Sequence, residues 1–456
     1  MRLRCALSAQ RRMDPFKRRE RIRLEKISPS TVRYMMEGIR DTCRAFRRRR
    51  AGSDSERACQ RYFAGELRAW SDRVDEEPFH FHPHAFMGWI LMASLLGIAS
   101  VALFWARFAV GSATLSLASF ALISLSAAMG LFEFVLYRPF IDFLFPRAVS
   151  RNILAYRNPT GEIRRRIVFC GHADAAYELR YALSRWKGTA RIVLAGSAAG
   201  ILLIFLTSAA RFIDTLLGSG AAAAGLWRFA GILHAAHIPF LIAALFFINW
   251  RCVVDGANDN LSGCFVAMSV LKEMAERGFR FAHTQVCCLI TGAEESGLRG
   301  ALACAKKHLA EFSRCETVFI VLDTLREADQ LQLYLRGQNG LCKNSRAVGA
   351  LLARAGRECG VALPEAKPYP GATDAEAFSR YGLASCGLCG VSHTPPPYYH
   401  TRYDTGDNVS AECLRLSLEI CVRAAALYDS EGLPRFDAPA VRAHVPSAEE
   451  NRSAAK

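Results

Sequence analysis

The chain has 456 residues, enough for one large domain or two ordinary ones with a substantial core. Hydrophobic residues make up 51% of it and the net charge is +16, and both the apolar and the basic residues are clustered. The sixteen cysteines lie mostly inside apolar runs and lack the paired spacing of a small secreted disulfide scaffold. The composition therefore excludes that class and predicts buried thiols in a reducing compartment.

The N-terminal region is strongly basic, since residues 1–50 hold 17 Lys and Arg against 5 Asp and Glu. The apolar segment of a signal peptide does not follow these charges, and Met13 offers an alternative start. The arginine run at residues 47–50 has no interleaved aromatic residues for stacking on bases. A nucleic-acid patch is one interpretation of it. A topology signal with contact to anionic lipid is simpler, so we expect no nucleic-acid partner.

Four segments are long and apolar enough to cross about 30 Å of hydrocarbon as helices. The predicted spans are residues 86–106, 113–135, 192–210 and 227–249. Residues 88–105 of the first span carry no charge, which is a longer uncharged run than a helix in a soluble core normally has. Buried helices of a soluble protein are the alternative. The fourth span is the weakest, because it contains His234 and His237.

The charge of the connections predicts the orientation of the spans, because cytoplasmic connections carry an excess of Lys and Arg. Residues 138–187, between the second and third spans, hold 10 Lys and Arg against 4 acidic residues. The other two connections are nearly uncharged: residues 109–112 carry no charge, and residues 211–226 carry only Arg211 and Asp214. Two hairpins therefore enter the membrane from one side, with both termini and the middle segment in the cytoplasm.

Outside the spans, short apolar runs alternate with helical patterns, which predicts an α/β sheet domain. Three strands are predicted at residues 166–170, 284–290 and 318–322. They are followed by His172, by the pair Glu294 and Glu295, and by Asp323. Ligands of open α/β sheets gather beyond the carboxyl ends of the strands, so we expect these side chains at one edge.

Two loops add further candidates, Asp259 just ahead of the helical run at residues 261–277, and His400 after the proline loop at residues 394–397. Together with His172, Glu295 and Asp323, they form a set of two imidazoles and three carboxylates. Such a set suits Zn²⁺ with water in its open positions. Each element alone is a weak signal, but five of them at the ends of strands or helices are rarely a coincidence.

Two other residue pairs have spacings typical of metal ligands, and we interpret both pairs as packing residues. His234 and His237 lie three positions apart on one face of the fourth span. Cys386 and Cys389 form a CxxC in a short apolar stretch. We predict paired or hydrogen-bonded histidines and buried thiols there, rather than metal or redox sites.

In their order along the chain, these motifs resemble the di-zinc exopeptidase family of the secreted bacterial leucyl aminopeptidases. That family also includes glutamate carboxypeptidase, glutaminyl cyclase and the transferrin receptor ectodomain. The matching stretches are Gly171-His172-Ala173-Asp174, residues 256–263, residues 292–298, Leu322-Asp323, Tyr399-His400-Thr401 and Asp404-Thr405. Residues 50–53, Glu56 and the helix at residues 58–67 resemble the family's first helix. The resemblance covers residues 31 to about 430.

The resemblance implies a three-layer αβα sandwich with a mixed, mostly parallel sheet, interrupted by two transmembrane helical hairpins. The predicted organisation is a basic N-terminal extension (1–30), a first helical part of the peptidase domain (31–85), a first hairpin (86–136), a segment with the first metal ligand (137–191), a second hairpin (192–250), the main peptidase domain (251–432) and a disordered tail (433–456).

The resemblance also implies a ligand set for two zinc ions per chain. Asp259 would bridge the two ions. His172 and Asp323 would complete one site, and Glu295 and His400 the other.

Three further residues acquire implied catalytic roles. Glu294 would be the general base that takes a proton from the water between the metals and passes it to the leaving amine. Asp174 would orient His172. Tyr399 is a candidate to stabilise the oxyanion, since some relatives have a tyrosine there.

The chain departs from the family in two places. His172 and Asp259 lie 87 positions apart, much further than in soluble relatives, because the second hairpin lies between them. In the segment of residues 371–378, Ala375 follows Asp374 where the family commonly has a histidine. That difference affects the neighbouring substrate pocket but removes no metal ligand.

The sequence therefore predicts a membrane-bound di-zinc aminopeptidase that removes N-terminal residues from peptides at the cytoplasmic face. Its expected partners are peptide substrates and the lipid bilayer. An inactive scaffold or receptor-like relative remains an alternative, although such proteins usually lose ligands or the base. Within the enzymes, a cyclase or a carboxypeptidase also remains open, because the residues that choose the substrate are not recognisable.

Overall fold

The structure, a computed structural model, describes residues 27–186, 188–218, 224–337, 340–368, 371–392 and 397–434. Most of the predicted basic extension, most of the predicted C-terminal tail and residues 394–396 of the proline loop lie outside the described residues.

In the part of the chain that the structure describes, ten strands form one large sheet and one small ribbon. They are β1 (Arg73–Phe81), β2 (Ala148–Arg157), β3 (Arg165–His172), β4 (Tyr177–Leu179), β5 (Ile248–Val253), β6 (Thr284–Thr291), β7 (Glu316–Leu325), β8 (Leu331–Tyr334), β9 (Glu365–Ala366) and β10 (Ala384–Gly390). The large sheet has the order β1-β2-β6-β3-β7-β10-β8-β9. Its four central strands, β6, β3, β7 and β10, run parallel. The pairs β1–β2, β2–β6 and β8–β10 are antiparallel, and the edge pair β8–β9 is parallel. The mixed, mostly parallel sheet predicted from the sequence is therefore present.

Helices cover both faces of this sheet and form a separate bundle. They are α1 (Pro29–Ala45), α2 (Asp54–Arg68), α3 (Ala85–Val110), α4 (Ala113–Met129), α5 (Thr189–Leu217), α6 (Ala224–Leu245), α7 (Ser262–Glu276), α8 (Arg299–Phe312), α9 (Arg346–Glu358), α10 (Asp374–Arg380) and α11 (Ala411–Glu431). A π-helical turn, Gly130–Val135, continues α4. Short 3₁₀ turns occupy Asp142–Leu144, Arg180–Leu183 and Ala328–Gln330.

The central strands are buried on both faces, as their almost continuous apolar runs require. In β3, Ile167 and Phe169 belong to one core, shared with α1, α2, α7, α9 and α11. The alternate residues Val168 and Cys170 belong to the opposite core, shared with α8 and α10. Alternation of side chains along each strand thus supplies both cores of a three-layer αβα arrangement. The CxxC thiols of Cys386 and Cys389 are buried in β10, as predicted.

Within the described ranges, four helices are long and apolar enough to cross a membrane: Ala85–Val110, Ala113–Val135, Thr189–Leu217 and Ala224–Leu245. The predicted ends need correction. The first and third helices are longer than expected. The fourth ends at Leu245 instead of residue 249, because Ile248–Val253 pairs as strand β5 with β4. Backbone pairing there replaces the last helical turn that apolar composition alone had indicated.

Small polar residues join the helices of the bundle. Ser100 of α3 donates its hydroxyl to the carbonyl of Ser119 in α4, at 2.8 Å. His234 of α6 lies with Nε2 2.6 Å from the Thr207 hydroxyl of α5, and His237 lies with Nδ1 3.1 Å from the Gly196 carbonyl. Both histidines are therefore hydrogen-bonded packing residues, as expected from the sequence.

The ribbon β4–β5 closes the base of the second helical hairpin, α5–α6. Glu178 in β4 accepts hydrogen bonds from the Asn249 amide at 2.7 Å and from two guanidinium nitrogens of Arg402, each at 2.7 Å. The Leu179 amide donates to the His400 carbonyl at 2.9 Å. The base of this hairpin is thus hydrogen-bonded directly to the loop that carries His400.

Candidate metal centre and active site

The predicted strand-end residues gather at one edge of the sheet. His172 is the last residue of β3, Asp323 lies near the end of β7, and the pair Glu294 and Glu295 follows β6. Asp259 arrives from the irregular turn Ala257–Leu261 ahead of α7. The structure therefore brings together residues that lie far apart in the sequence.

The turns that carry these side chains have unusual backbone conformations. Ala293, Thr324 and His400 have φ angles of 55°, 48° and 51°, in the left-handed region that non-glycine residues rarely adopt. Such conformations persist only where the surroundings hold them, and they cluster at functional sites. Ala293 precedes the candidate base Glu294, Thr324 follows the candidate ligand Asp323, and His400 is itself a candidate ligand.

Asp259 lies at the centre of the cluster. Its Oδ1 is 3.1 Å from His172 Nε2, and its Oδ2 is 2.9 Å from His400 Nε2. On the far side, His400 Nε2 is 3.4 Å from Glu295 Oε1. The two oxygens of one carboxylate thus face two different imidazoles, the arrangement that a carboxylate bridging two metal ions requires.

Two groups of potential ligand atoms share this carboxylate. In each group, one atom from each residue lies within 4.8 Å of the others: His172, Asp259 and Asp323 form the first, and Asp259, Glu295 and His400 the second. These are the two ligand sets expected from the sequence. A further group, of His172, Glu294 and Glu295, places Glu294 next to the first set.

This buried cluster contains more carboxylates than imidazoles, and the pKa values of its carboxyl groups are shifted. Burial raises the pKa of Glu295 to about 8 and that of Asp323 to about 6, and it raises the pKa of Glu294 well above its usual value. Burial acts on Asp259 as well, but hydrogen bonds from His172 and His400 outweigh it and lower the pKa of Asp259. In their ionised forms, this many buried carboxylates would need a compensating cation.

The donor set fits zinc. Zinc–ligand distances of about 2.0–2.2 Å place donor atoms around one tetrahedral ion roughly 3.3–3.6 Å apart, close to the separations described here. Glu295 Oε1 is buried and has no hydrogen-bond partner among the described atoms, although His400 lies nearby. Buried carboxylate oxygens normally have a hydrogen-bond partner, so a metal ion is the natural partner for this one.

Asp174 connects the His172 strand to the glutamate turn. Its two oxygens accept the backbone N–H groups of Glu294 at 3.1 Å and of Glu295 at 3.0 Å. His172 Nδ1 lies 3.2 Å from the Asp174 carbonyl and 3.5 Å from its Oδ1. Asp174 therefore holds both candidate glutamates as well as the imidazole, a larger positioning role than the sequence had indicated.

Asp404, which sequence reasoning left without a role, holds the Asp259 turn. Its Oδ1 accepts the Asn258 N–H and side-chain amide, each at 2.8 Å, and its Oδ2 accepts the Asp259 N–H at 3.1 Å. The signal that could have identified it is its place in the Asp404-Thr405 motif, four positions after His400.

Arg49 corrects the interpretation of the arginine run as a purely lipid-facing topology signal. It is fully buried, and its guanidinium donates to the carbonyls of Phe46, Ala173, Asp255 and Gly256 at 2.6–3.3 Å. Its own carbonyl accepts the N–H of Ala175 at 2.9 Å. One arginine therefore joins the loop after His172 to the loop before Asp259.

Replacing Arg49 with Met should destabilise the protein by roughly 2–4 kcal/mol, because several buried carbonyls lose their donor together. Zinc retention should fall as well, since two ligand-bearing loops are no longer joined. Thermal unfolding and metal analysis measure the two effects. Arg47→Met, at an exposed position of the same run, is the matched control. Equal melting temperatures for the two variants would contradict the role given to Arg49.

A cavity of about 480 Å³ opens onto the cluster. Glu294, Asp259 and His400 form part of its wall, together with the phenol rings of Tyr399 and Tyr137. The Tyr399 ring stacks on His400, with ring centroids 4.2 Å apart. Tyr399 thus lies beside the cluster, as predicted, while Tyr137 is a second phenol that sequence reasoning missed.

Comparison with known proteins agrees with this geometry. Residues 233–425 match the model of Peptidase family M28. This match covers less than half of the chain, and over that region it confirms the predicted resemblance and supports the predicted zinc metallopeptidase. The matched region carries Asp259, Glu294, Glu295, Asp323 and His400, whereas His172 lies before it. Among curated proteins, none matches the chain in sequence.

Solved structures show the same fold at low sequence identity. An aminopeptidase from Aneurinibacillus sp. strain AM-1 is 15% identical to this chain, with a TM-score of 0.50. The superposition covers 90% of this chain and 96% of the aminopeptidase. A Zn-dependent exopeptidase from Parabacteroides distasonis is 12% identical with a TM-score of 0.50, covering 86% and 97%. Fimbriiglobus ruber glutaminyl cyclase is 12% identical with a TM-score of 0.50, covering 88% and 96%. The predicted fold class is confirmed.

Proposed function

We propose that this protein is a peptidase of the M28 type, a membrane-bound aminopeptidase that binds two zinc ions and removes N-terminal residues from peptides. The observation that carries the proposal is the position of Asp259, which belongs to both groups of potential ligand atoms and presents one oxygen to each imidazole. His172 and Asp323 would complete one zinc site, and Glu295 and His400 the other. Bound zinc would supply Lewis-acid chemistry by polarising the scissile carbonyl.

The chain's own residues would then move the protons. Glu294, whose Oε2 lies 3.8 Å from His172 Nε2, would take a proton from the attacking water and deliver it to the leaving amine. Burial raises the pKa of Glu294, and the positive charge of bound zinc would lower it again, so that the ionised carboxylate could accept the proton. The Tyr399 hydroxyl, on the cavity wall beside the cluster, would donate a hydrogen bond to the developing oxyanion.

The direct test combines metal analysis with a substrate panel on the purified full-length protein in detergent. Two zinc ions per chain and hydrolysis of aminoacyl nitroanilides with a free α-amine are expected. The panel also holds the same compounds with the amine blocked, peptides with a free carboxyl terminus, and peptides that begin with glutamine. Cleavage of only the blocked or carboxyl-terminal substrates, or cyclisation of the glutamine peptide, would replace the aminopeptidase proposal by the corresponding enzyme. Zinc binding without turnover would favour the scaffold.

We also propose the sidedness that the charge pattern predicts. The peptidase domain would be interrupted by the two hairpins, which span the membrane, and it would lie with both termini in the cytoplasm. Reporter fusions after Lys456 and within residues 151–187 should then read as cytoplasmic, and one near residues 218–220 as external. An external C-terminus would overturn the orientation and the expectation of a reducing compartment.

A further inference from the structure

The cavity beside the cluster joins the proposed zinc site to the membrane helices. At one end its wall contains Asp259, Glu294 and Asp323. At the other end the wall is made of side chains from the spans: Phe86 and Ile90 of α3, Phe134 of the π turn after α4, Leu194 of α5, and Phe247, two residues after α6. A pocket for a small polar substrate would not need walls from the membrane region.

The cavity extends well along the third span. Its wall includes Arg191, Leu194, Ala195 and Ala198 on successive turns of α5, which begins at Thr189. With a rise of 1.5 Å per residue, Ala198 lies about 14 Å from the start of that helix. Counted from residue 192, where the predicted span begins, Ala198 lies about 9 Å into the span, roughly a third of the 30 Å of hydrocarbon in a bilayer.

The second and third spans both contribute to the wall of the cavity. Away from the sheet these two helices are packed together: Ser119 Oγ is 3.5 Å from Ser208 Oγ, the Phe120 ring centroid is 5.8 Å from that of Phe212, and Ile123 shares a buried cluster with Ile204. At the ends near the sheet, Phe134, Ala195 and Ala198 line the cavity and are exposed. Near the sheet, both spans therefore contribute exposed side chains to the cavity wall.

We infer that the substrate carries a long aliphatic group next to the scissile amide, and that this group enters the cavity sideways from the bilayer. The inference rests on the proposed function and adds a substrate class to it: amphipathic amides or peptides that reside in the membrane. Each methylene gains about 0.8 kcal/mol on leaving water, whether it enters lipid or this cavity. A long chain would therefore concentrate the substrate in the bilayer, beside an apolar wall that is continuous with the proposed hydrolytic centre.

The test uses the full chain in lipid nanodiscs and a series of α-aminoacyl nitroanilides with ethyl, hexyl and dodecyl side chains. In the wild type, kcat/KM should rise with chain length. Ala198→Phe fills the cavity and should lower the dodecyl-to-ethyl ratio of kcat/KM at least about tenfold. Ala199→Phe is the matched control, because Ala199 is an exposed neighbour outside the cavity wall, and the ratio should stay at the wild-type value. Ala195→Phe provides a second cavity variant if Ala198→Phe does not fold.

Binding of a fluorescent dodecyl amide to the zinc-loaded protein separates this inference from the proposed function. Equal kcat/KM for all chain lengths, or equal losses in Ala198→Phe and Ala199→Phe, would overturn the inference and leave the aminopeptidase intact. If no substrate is hydrolysed, but binding strengthens with chain length and Ala198→Phe weakens it, the proposed function would be overturned and the inference supported. Absence of both hydrolysis and binding would overturn both.

Discussion

Replacing Glu294 with Gln is expected to lower kcat/KM by about 10²–10⁴-fold while the zinc content stays at the wild-type level. Glutamine keeps the size and shape of the side chain but cannot accept a proton from the attacking water. The turn should survive the change, because Asp174 binds the backbone N–H groups of Glu294 and Glu295 rather than their side chains. The measurements are steady-state kinetics and metal analysis on the same preparation.

The neighbouring variant Glu295→Gln is the matched comparison. Glu295 belongs to the ligand group with Asp259 and His400, so its loss should weaken one zinc site, and added zinc should restore part of the activity. The two adjacent glutamates would thus fail in different ways. If both variants behaved alike, or if Glu294→Gln remained fully active, the division into base and ligand would be wrong. Such a result would favour the alternative that the protein is an inactive scaffold.

Replacing Asp259 with Ala should remove activity and more than one equivalent of zinc per chain. A carboxylate that serves both sites removes a ligand from each when it is truncated, whereas loss of Asp323 or His400 affects one site. His172 Nε2 and His400 Nε2 lie 3.1 Å and 2.9 Å from the two Asp259 oxygens, so truncation of this one side chain alters the surroundings of both imidazoles.

Asp255→Ala is the control for this second variant. Asp255 lies in the same loop and undergoes the same change, but it belongs to neither ligand group. Its zinc content should match the wild type, as measured by atomic absorption on protein purified without added metal. Retention of two zinc ions in Asp259→Ala would show that Asp259 is not the bridge.

Much of the site could be predicted from the sequence because its geometry follows from strand register. His172, Glu294 and Asp323 come at or just after the ends of β3, β6 and β7, which are adjacent and parallel. Once those strands are recognised, the meeting of the side chains at one edge follows. The metal roles of these residues stay predictions until zinc is measured.

The residues that hold the ligands were harder to predict. Arg49 is one of four consecutive arginines, and a count of charges cannot tell which of them is buried. Its burial depends on carbonyls supplied by loops more than a hundred positions away. The end of the fourth span was misplaced for a related reason: residues 246–249 are apolar enough for a helix, and only the pairing with β4 turns Ile248 into a strand residue.

The β4–β5 ribbon has a consequence for the entropy of chain closure. Leu179 and Ile248 are paired neighbours, so residues 180–247 leave the sheet domain and return to almost the same point. For a flexible insertion, each doubling of loop length costs about 0.6 kcal/mol. Here α5 and α6 pack side by side and bring their own ends together. The hairpin could therefore lengthen or shorten by whole turns, to match a thicker or thinner bilayer, without moving His172 away from Asp259.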